Sequence, residues 1–413
     1  MSDIPWTPGP YGLNAHSRAT HTPERTVLVV VHHLTAGTRL ADVVPLIEHD
    51  NRIQVLYTAA PGSPFTQSGE EYIRGLGGVV IPWQAAITNS FDLAIAANPG
   101  HQMAQLHAPI LTLEHGVGPG KLVARADGYG PRAPRYVTGL VAGGLITNGR
   151  VIPTALGAPN ERHRDALADL APELEQVTRV VGDPTYDRLL ASLPDRAEYR
   201  RALGVDDDRS LVVVSSTWGP HSLLGRDLTL PAALTEALPS KNYRTVTIPH
   251  PLMWLWHGRR QVRAWLAQAQ RQGADLLPPE EGWRAALVAA DAVIGDHGSV
   301  TMYAAALGRP TLLATFPHDE VHPGSAIELL GRATPTLDRG SALEPQVHAA
   351  IDNHVPERGD WYAPLVSSVP GEAASRLREV MYELMRLPEP DTPPRTEPVP
   401  LPRVLPRLEG EPR

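Results

Sequence analysis

Short apolar runs of strand length alternate along the chain with longer segments whose composition suits helices. In the first half, the apolar runs are residues 26–34, 53–59, 78–83, 92–97 and 109–114. Helical-length segments such as 38–49 and 68–76 separate them. Apolar runs that alternate with helices are typical of β-α units, because a parallel sheet is buried on both faces. The pattern therefore predicts an α/β domain with a parallel sheet.

The alternation begins again after Gly182-Asp-Pro184, where glycine and proline interrupt the pattern. The second series has strand-like runs at 211–215, 243–248, 274–277, 292–294 and 311–314, a long helical region at 252–272 and a helix at 300–307. Two such series predict two doubly wound domains, whose loops converge in a cleft beyond the carboxyl ends of the strands. We assign residues 26–180 to the first domain and residues 181–345 to the second.

The two ends of the chain are predicted to lie outside these domains. Residues 1–25 form an N-terminal extension, and residues 346–386 form C-terminal helices, of which 371–386 is expected to pack back on the first domain. Residues 387–413 contain nine prolines and little core-forming material, so this tail is predicted to be disordered or extended. An alternative role for the tail is to dock a partner protein.

Composition excludes several classes of function. The 413-residue chain carries a net charge of −8, so we expect no nucleic-acid partner, which would need a concentrated basic surface. It contains no cysteine, which excludes disulfides, thiolate catalysis and Cys-ligated zinc. No apolar stretch reaches the roughly 18 residues of a membrane span, and the N-terminus lacks the pattern of a signal peptide. We therefore predict a cytoplasmic protein with no transmembrane segment; a peripheral place at the membrane stays open.

The segment around Ser299 is the first candidate for chemistry. Residues 292–294 suit a strand, 295–299 a polar loop and 300–307 a helix, so Ser299 lies at a helix N-terminus. Exposed N–H groups and the helix dipole attract an anion there, and Gly298 lets a ligand approach the backbone. The alternative is an ordinary N-cap between a strand and a helix.

A glycine-rich loop at residues 114–121 follows the last strand-like run of the first half. It is not a Walker loop, because His115 stands where a glycine is needed and Leu122 where Ser or Thr is needed, and its glycines do not match the dinucleotide fingerprint. His115 suits removal of a proton from a hydroxyl, and Lys121 is a candidate contact for a bound anion. Since the chain has 17 histidines, coincidence competes with a catalytic role.

Two further loops end strand-like runs in the second half. In residues 215–220, hydroxyls and a glycine turn could contact phosphate, while Trp218 could equally be packed. His250 lies between two prolines that restrict its backbone, so it could bind phosphate, act as an acid or form a structural hydrogen bond to a carbonyl. The acidic run at 206–208 is assigned to a solvated turn, so we predict no metal site and no cofactor.

Six spaced motifs between residues 105 and 320 occur in a recognisable order. They are His115-Gly with Lys121, Gly182-Asp-Pro with Asp187-Arg-Leu189, Thr217-Trp218, His250-Pro251, Asp291 with Asp296-His-Gly-Ser299, and Gly308-Arg-Pro310. This order resembles the CDP-glycerol glycerophosphotransferases, the family of the teichoic-acid polymerases and primases. The chain departs from the family at His297 and Gly298, where members often carry tyrosine and serine. The departure leaves the identity of the donor open.

The resemblance implies a GT-B fold of the α/β class, with two Rossmann-like domains facing across a cleft. The first domain would then receive the acceptor and the second the nucleotide donor. It implies that His115 is the base for the acceptor hydroxyl. Independently of the resemblance, the repeated β-α pattern and the position of both loops at strand ends predict that His115 faces Ser299 across the cleft. The donor-binding residues implied or favoured by their position are Thr217, Trp218, His250, Asp296, Gly298 and Ser299.

The resulting hypothesis is a metal-independent transferase. It would move a glycerophosphate, polyol-phosphate or glycosyl group from a nucleotide-diphosphate donor to an acceptor hydroxyl. A UDP-sugar glycosyltransferase and a sugar-nucleotide 2-epimerase share the architecture, although the epimerase should show an early Gly-rich loop where this chain has His32-His33-Leu-Thr-Ala-Gly37. The non-enzyme alternative is a degenerate nucleotide-binding scaffold or sensor whose tail recruits a partner.

Overall fold

The computed structural model describes residues 10, 19–62, 66–122, 135, 137 and 142–407. Most of the expected N-terminal extension lies outside these residues. The chain divides into two compact units. The first unit contains Met1–Gly116, Gly139–Thr185 and Val369–Arg395, and the second contains Val117–Thr138, Tyr186–Ser368 and Thr396–Arg413.

The first unit is built on a six-stranded parallel sheet. Its strands are β1 (Arg25–Val31), β2 (Ile53–Ala59), β3 (Leu93–Ala96), β4 (Ile110–Leu113), β7 (Ala155–Ala158) and β8 (Thr178–Val180), while β5 (Ile146–Thr147) and β6 (Arg150–Val151) form a separate antiparallel pair. The strand order is β2-β1-β3-β4-β7-β8. In β1, Val27 and Val29 pack in one core while Leu28 and Val30 pack in another, which explains the continuous apolar run.

Helices cover this sheet. They are α1 (Leu34–Val43), α2 (Pro45–Glu48), α3 (Thr66–Gly75), α4 (Trp83–Thr88), α5 (Ala142–Leu145), α6 (Glu161–Leu170), α7 (Pro172–Glu175) and α20 (Ala373–Met385). Helix α20 buries Leu377 and Met381 in the core that contains Leu40 of α1. The C-terminal helix therefore belongs to the first unit, although the two helices that precede it belong to the second.

The second unit has a five-stranded parallel sheet. Its strands are β9 (Ser210–Ser216), β10 (Tyr243–Pro249), β11 (Asp275–Leu276), β12 (Ala292–Gly295) and β13 (Thr311–Leu313), in the order β11-β10-β9-β12-β13. Its helices are α8 (Pro184–Ala191), which begins in the first unit, α9 (Arg196–Ala202), α10 (Leu223–Arg226), α11 (Leu230–Ala237), α12 (Pro251–His257), α13 (Arg259–Trp265), α14 (Ala267–Gln272), α15 (Trp283–Ala289), α16 (Ser299–Ala306), α17 (Ala326–Ala333), α18 (Leu343–Asp352) and α19 (Gly359–Val366). None of the helices in the described part of the chain combines the length and the apolar character that a bilayer span requires.

One of the predicted strands is wrong. Residues 78–83 form no strand; Val80 makes an isolated bridge to Tyr57, and Pro82, which has no N–H to donate, precedes the start of α4. The predicted helical region 252–272 is confirmed and consists of three helices; the first break lies at Gly258, which adopts a φ of 83° and ends α12. A left-handed backbone of this kind suits glycine and breaks the helical hydrogen-bond pattern.

Each sheet has a point where the chain changes its direction of travel across the strands. In the first unit β2 lies on one side of β1 and β3 on the other, and in the second unit β10 and β12 flank β9 in the same way. In open α/β sheets, ligands bind beyond the carboxyl ends of the strands at such switch points. Ligand sites are therefore expected at the loops after β1 and β3 in the first unit, and at the loops after β9 and β12 in the second.

The proline-rich C-terminal segment is extended and packed. The N–H of Val399 donates to Ser192 Oγ at 2.9 Å, and the Tyr199 hydroxyl donates to the carbonyl of Val399 at 2.8 Å. Further along, Leu405 donates to the carbonyl of Leu276 at 2.8 Å. Residues 387–407 adopt the extended conformation, one of the two outcomes predicted from the sequence, because side chains and the carbonyl of Leu276 satisfy backbone groups of the segment.

Candidate functional site

A buried carboxylate organises the loops at the switch point of the second unit. Asp296 directly follows β12 and is fully buried. One of its oxygens accepts the N–H of Thr217 at 2.9 Å and that of Leu223 at 2.7 Å, and the other accepts the N–H of Gly298 at 3.0 Å. Burial raises the pKa of Asp296 to about 6, against the opposing effect of these N–H donors and Lys121. Asp296 thus joins the loop after β9 to the loop after β12.

Lys121 provides the positive charge beside these loops. Its ammonium donates to Thr217 Oγ1 at 2.6 Å, in the same residue whose N–H is held by Asp296. Burial lowers the pKa of Lys121, and the Asp296 carboxylate opposes that effect. The second unit therefore brings together two predicted site residues, Lys121 and Thr217, that are far apart in the sequence.

The polar loop and the helix that the sequence predicts around Ser299 are present, and this helix is α16. Ser299 is the first residue of this helix, and its hydroxyl oxygen accepts the N–H of Val117 at 3.3 Å. Gly298 is the N-cap, and a Cβ there would lie 3.1 Å from Asp296 Oδ1 and 3.2 Å from the Cβ of Thr217. A larger residue at position 298 would therefore crowd both loops, and this close packing explains the glycine.

The neighbouring histidines have different surroundings. His250 follows β10 and caps α12, where its Nδ1 accepts the N–H of Leu252 at 3.1 Å. That bond places the ring proton on Nε2 and helps to fix the orientation of the ring. His297 is 4% exposed, packs edge-on against Phe316, and burial lowers its pKa to about 3. Trp218 is 44% exposed, so it is not a core residue.

His115 lies in the first unit, two residues after the end of β4, and is half-buried. Its ring meets that of His33 edge-on, with centroids 5.1 Å apart. His33 caps α1 by accepting the N–H of Ala36 at 3.2 Å. Burial lowers the pKa of His32 to about 4 and that of His33 to about 3, and the His115 ring adds to both effects. No role is predicted for His32 or His33 from the sequence, although the pair lies near the end of the apolar run 26–34.

A buried ion pair supports the loop that carries His115. Arg39 of α1 donates to both oxygens of Asp183, at 2.8 and 3.0 Å, and also to the carbonyl of Gly116 at 3.2 Å. Asp183, from the Gly-Asp-Pro motif, therefore holds the arginine that binds the residue after His115. Glu114 precedes His115 in the chain. Burial raises the pKa of Glu114 to about 7, while the charge of Arg39 opposes this shift.

An open cavity of about 640 Å³ lies at the switch point of the first sheet. Its lining includes His32 and His33 after β1, and Asn98, Gln102 and Gln105 in the loop that follows β3. A volume of this size is typical of small-molecule sites. Among the described residues, no group of three or more His, Asp or Glu side chains could hold a metal ion. The acidic run 206–208 is an exposed turn, as its sequence predicts.

No protein-family model and no curated protein sequence matches the chain. Solved structures are similar to it in fold. A structure of the wall teichoic acid polymerase TagF aligns with a TM-score of 0.55 at 14% identity over 89% of this chain and 90% of TagF. A second TagF structure, from a 30-minute soak with CDPG, aligns with a TM-score of 0.57 at 13% identity over 88% and 89% of the two chains.

A UDP-GlcNAc 2-epimerase from Neisseria meningitidis, bound to UDP-GlcNAc, is also similar. It aligns with a TM-score of 0.50 at 13% identity over 87% of this chain and 99% of the epimerase. Identities this low establish the architecture alone, since one fold hosts many functions. The two Rossmann-like parallel-sheet units and these alignments show that the chain has an α/β fold of the GT-B type.

Proposed function

We propose that the protein is a metal-independent transferase that moves a glycerophosphate, polyol-phosphate or glycosyl group from a nucleotide-diphosphate donor to an acceptor hydroxyl. The observation that carries the proposal is the Lys121 ammonium bonded to Thr217 beside the N-terminus of α16. An ammonium, a hydroxyl and free helix N–H groups together suit a diphosphate, whose charge they neutralise without a metal. The GT-B fold is compatible with such a donor, since the TagF structure comes from a CDPG soak and the epimerase is bound to UDP-GlcNAc.

In this proposal the residues of the second unit divide into contacts and supports. Lys121, Ser299 and the Nε2–H of His250 contact the pyrophosphate, while Trp218 offers an exposed ring to the nucleobase. Asp296 does not touch the donor. Its carboxylate already accepts three backbone N–H groups, so it holds the contact residues in place.

His115 acts as the base of the first unit. Its imidazole takes the proton of the acceptor hydroxyl as that oxygen attacks the transferred group, and the bond from that group to the nucleotide diphosphate breaks. The leaving diphosphate stays with Lys121 and the α16 N-terminus, which stabilise its charge. That His115 faces Ser299 across a cleft remains a prediction from the sequence.

A donor screen followed by a matched pair of lysine variants tests the donor site. CDP-glycerol, CDP-ribitol, UDP-sugars and GDP-sugars are compared by thermal shift, because a ligand at about 100 times its Kd stabilises the folded protein by about 2.7 kcal/mol. The chain has two lysines, so Lys241→Met is the control for Lys121→Met. We expect Lys121→Met to weaken binding of the best donor about tenfold or more, and Lys241→Met to leave it unchanged.

Two results would count against the proposal. Equal donor binding by Lys121→Met and Lys241→Met proteins would place the phosphates elsewhere. Tight donor binding with no transfer to any hydroxyl acceptor, in wild-type protein, would favour the nucleotide sensor or scaffold instead.

A further inference from the structure

The side chain that the proposed mechanism leaves without a role is His32, at the switch point of the first sheet. It is 3% exposed, and neither of its ring nitrogens has a hydrogen-bond partner among the described residues. A buried polar group without a partner destabilises the folded state, and native proteins carry few of them. Such a group at a cavity wall is explained when a bound molecule supplies the missing hydrogen bonds.

His32 lines the 640 Å³ cavity, and the rest of the lining indicates what the cavity can bind. Its other polar side chains include the amides of Asn98, Gln102 and Gln105. No Lys, Arg, Asp or Glu is among the described lining residues. Amides present both a donor and an acceptor, so they match hydroxyl groups, which do the same.

Three of the described lining residues are histidines, His32, His33 and His101, and the charge state of the first two agrees with this chemistry. Burial and the neighbouring His115 hold the pKa values of His32 and His33 far below neutral, so both rings are uncharged at pH 7. An uncharged imidazole has one N–H donor and one acceptor nitrogen. A phosphate needs donors or cations only, and the acceptor nitrogen would repel it, whereas a hydroxyl satisfies either nitrogen.

Four glycines and two prolines contribute to the rest of the wall among the described residues. Gly143 of α5 and Gly62 have open space where a Cβ would stand, and Gly62 has a φ of 94°. The backbone is therefore accessible to a molecule that fills the cavity. A side chain introduced at Gly143 would therefore enter the cavity without displacing neighbouring residues.

We infer that the first unit binds an uncharged, hydroxyl-rich molecule, a polyol or a sugar ring, in the cavity between the ends of β1 and β3, with His32 as its central hydrogen-bonding partner. Binding of this molecule in the cavity does not depend on the proposed transfer activity. Identifying the bound molecule as the acceptor of the transfer rests on the proposed function. In that case, the part of the acceptor that binds in this cavity is a polyol or a sugar ring without a phosphate group.

Ligand-observed NMR on the full-length protein tests the inference. The probes are glycerol, ribitol, glucose and N-acetylglucosamine, each compared with a phosphorylated counterpart such as glycerol 3-phosphate or glucose 6-phosphate. CDP is present at saturating concentration, so that phosphate sites elsewhere are occupied. We expect at least one uncharged probe to bind, and its phosphorylated counterpart to bind at least tenfold more weakly.

Two variants and one control locate the bound probe. His32→Phe removes both ring nitrogens and should reduce binding at least tenfold, while the melting temperature of the free protein stays the same or rises because no unpaired nitrogen remains buried. Gly143→Leu places a side chain in the cavity and should also abolish binding. Gly75→Leu is the matched control, since Gly75 lies in helix α3 of the same unit, has open space at its Cβ and does not line the cavity.

The outcomes are distinct from those of the proposed function. No binding of any uncharged probe, equal binding to wild-type and Gly143→Leu protein, or tighter His32-dependent binding of a phosphorylated probe would each overturn the inference. Loss of binding in His32→Phe and Gly143→Leu protein, with normal binding by Gly75→Leu, supports it even if no transfer activity is found. If His32→Phe does not fold, the Gly143→Leu and Gly75→Leu comparison alone decides.

Discussion

We expect loss of one charge of the buried Arg39–Asp183 pair to destabilise the first unit. The two side chains are 4% and 1% exposed and are joined by N···O distances of 2.8 and 3.0 Å. At an effective dielectric constant of about 20, two charges about 3 Å apart attract by roughly 6 kcal/mol. Removing both charges from water costs several kcal/mol per ion, so the net contribution of the intact pair is small.

Removing one charge of the pair should lower the stability more than replacing both charges with apolar side chains. Asp183→Asn leaves the Arg39 guanidinium buried without its counter-charge, and such changes typically cost about 3–5 kcal/mol. We expect this loss in the first unit. Replacing both charges, in Arg39→Met/Asp183→Leu, should cost less than Asp183→Asn alone, because no uncompensated charge remains.

Hydrogen exchange of the β1 amides, followed by mass spectrometry, measures the opening free energy of the first unit directly. The control is Arg74→Met, which breaks the exposed pair between Arg74 and Glu70 in α3 and should cost about 0.5 kcal/mol or less. A loss below about 1 kcal/mol for Asp183→Asn would refute the reasoning. So would a double variant that costs as much as the sum of its single changes.

Three further predictions concern the site and its titration. His115→Ala should lower turnover about 100-fold or more while leaving donor affinity nearly intact, since a general base acts on the transition state; equal turnover of the two proteins would exclude the role. Ser299→Ala and His250→Ala should each weaken calorimetric binding of the best nucleotide-diphosphate donor by about 1–3 kcal/mol, and unchanged affinity in both would contradict the proposed contacts. The folded pKa of His32, about 4, lies below its ordinary value of 6.5, so the unfolded state binds more protons between these values. The part of the stability that depends on His32 is therefore fully present above pH 6.5 and is lost as the pH falls towards 4. His32→Phe should reduce the slope of stability against pH in this range by about 1.4 kcal/mol per pH unit in urea titrations; an unchanged slope would show that folding does not lower the pKa of His32.

The sequence by itself determined the α/β class and the positions of most strands. A central strand of a parallel sheet is buried on both faces, so its apolar run is visible without knowledge of its neighbours, as in β1, β9 and β10. The start of α16 was predicted within one residue for a similar local reason, because a polar loop with glycine and serine separates a strand from a helix. The error at 78–83 arose because a short apolar run can also be a connection between elements; only Ile81 of this run is buried, and Val79 is 42% exposed.

Only the tertiary structure decided which of the candidate residues act together. Asp296 bonds to an amide 79 residues away, Lys121 to a hydroxyl 96 residues away and Arg39 to a carboxylate 144 residues away. The order of the strands brings these partners together, and no local pattern of apolar and polar positions encodes it. For the same reason, no local pattern indicates a role for His32 or the three N–H groups that Asp296 accepts. Whether a buried polar group is satisfied depends on every element packed around it.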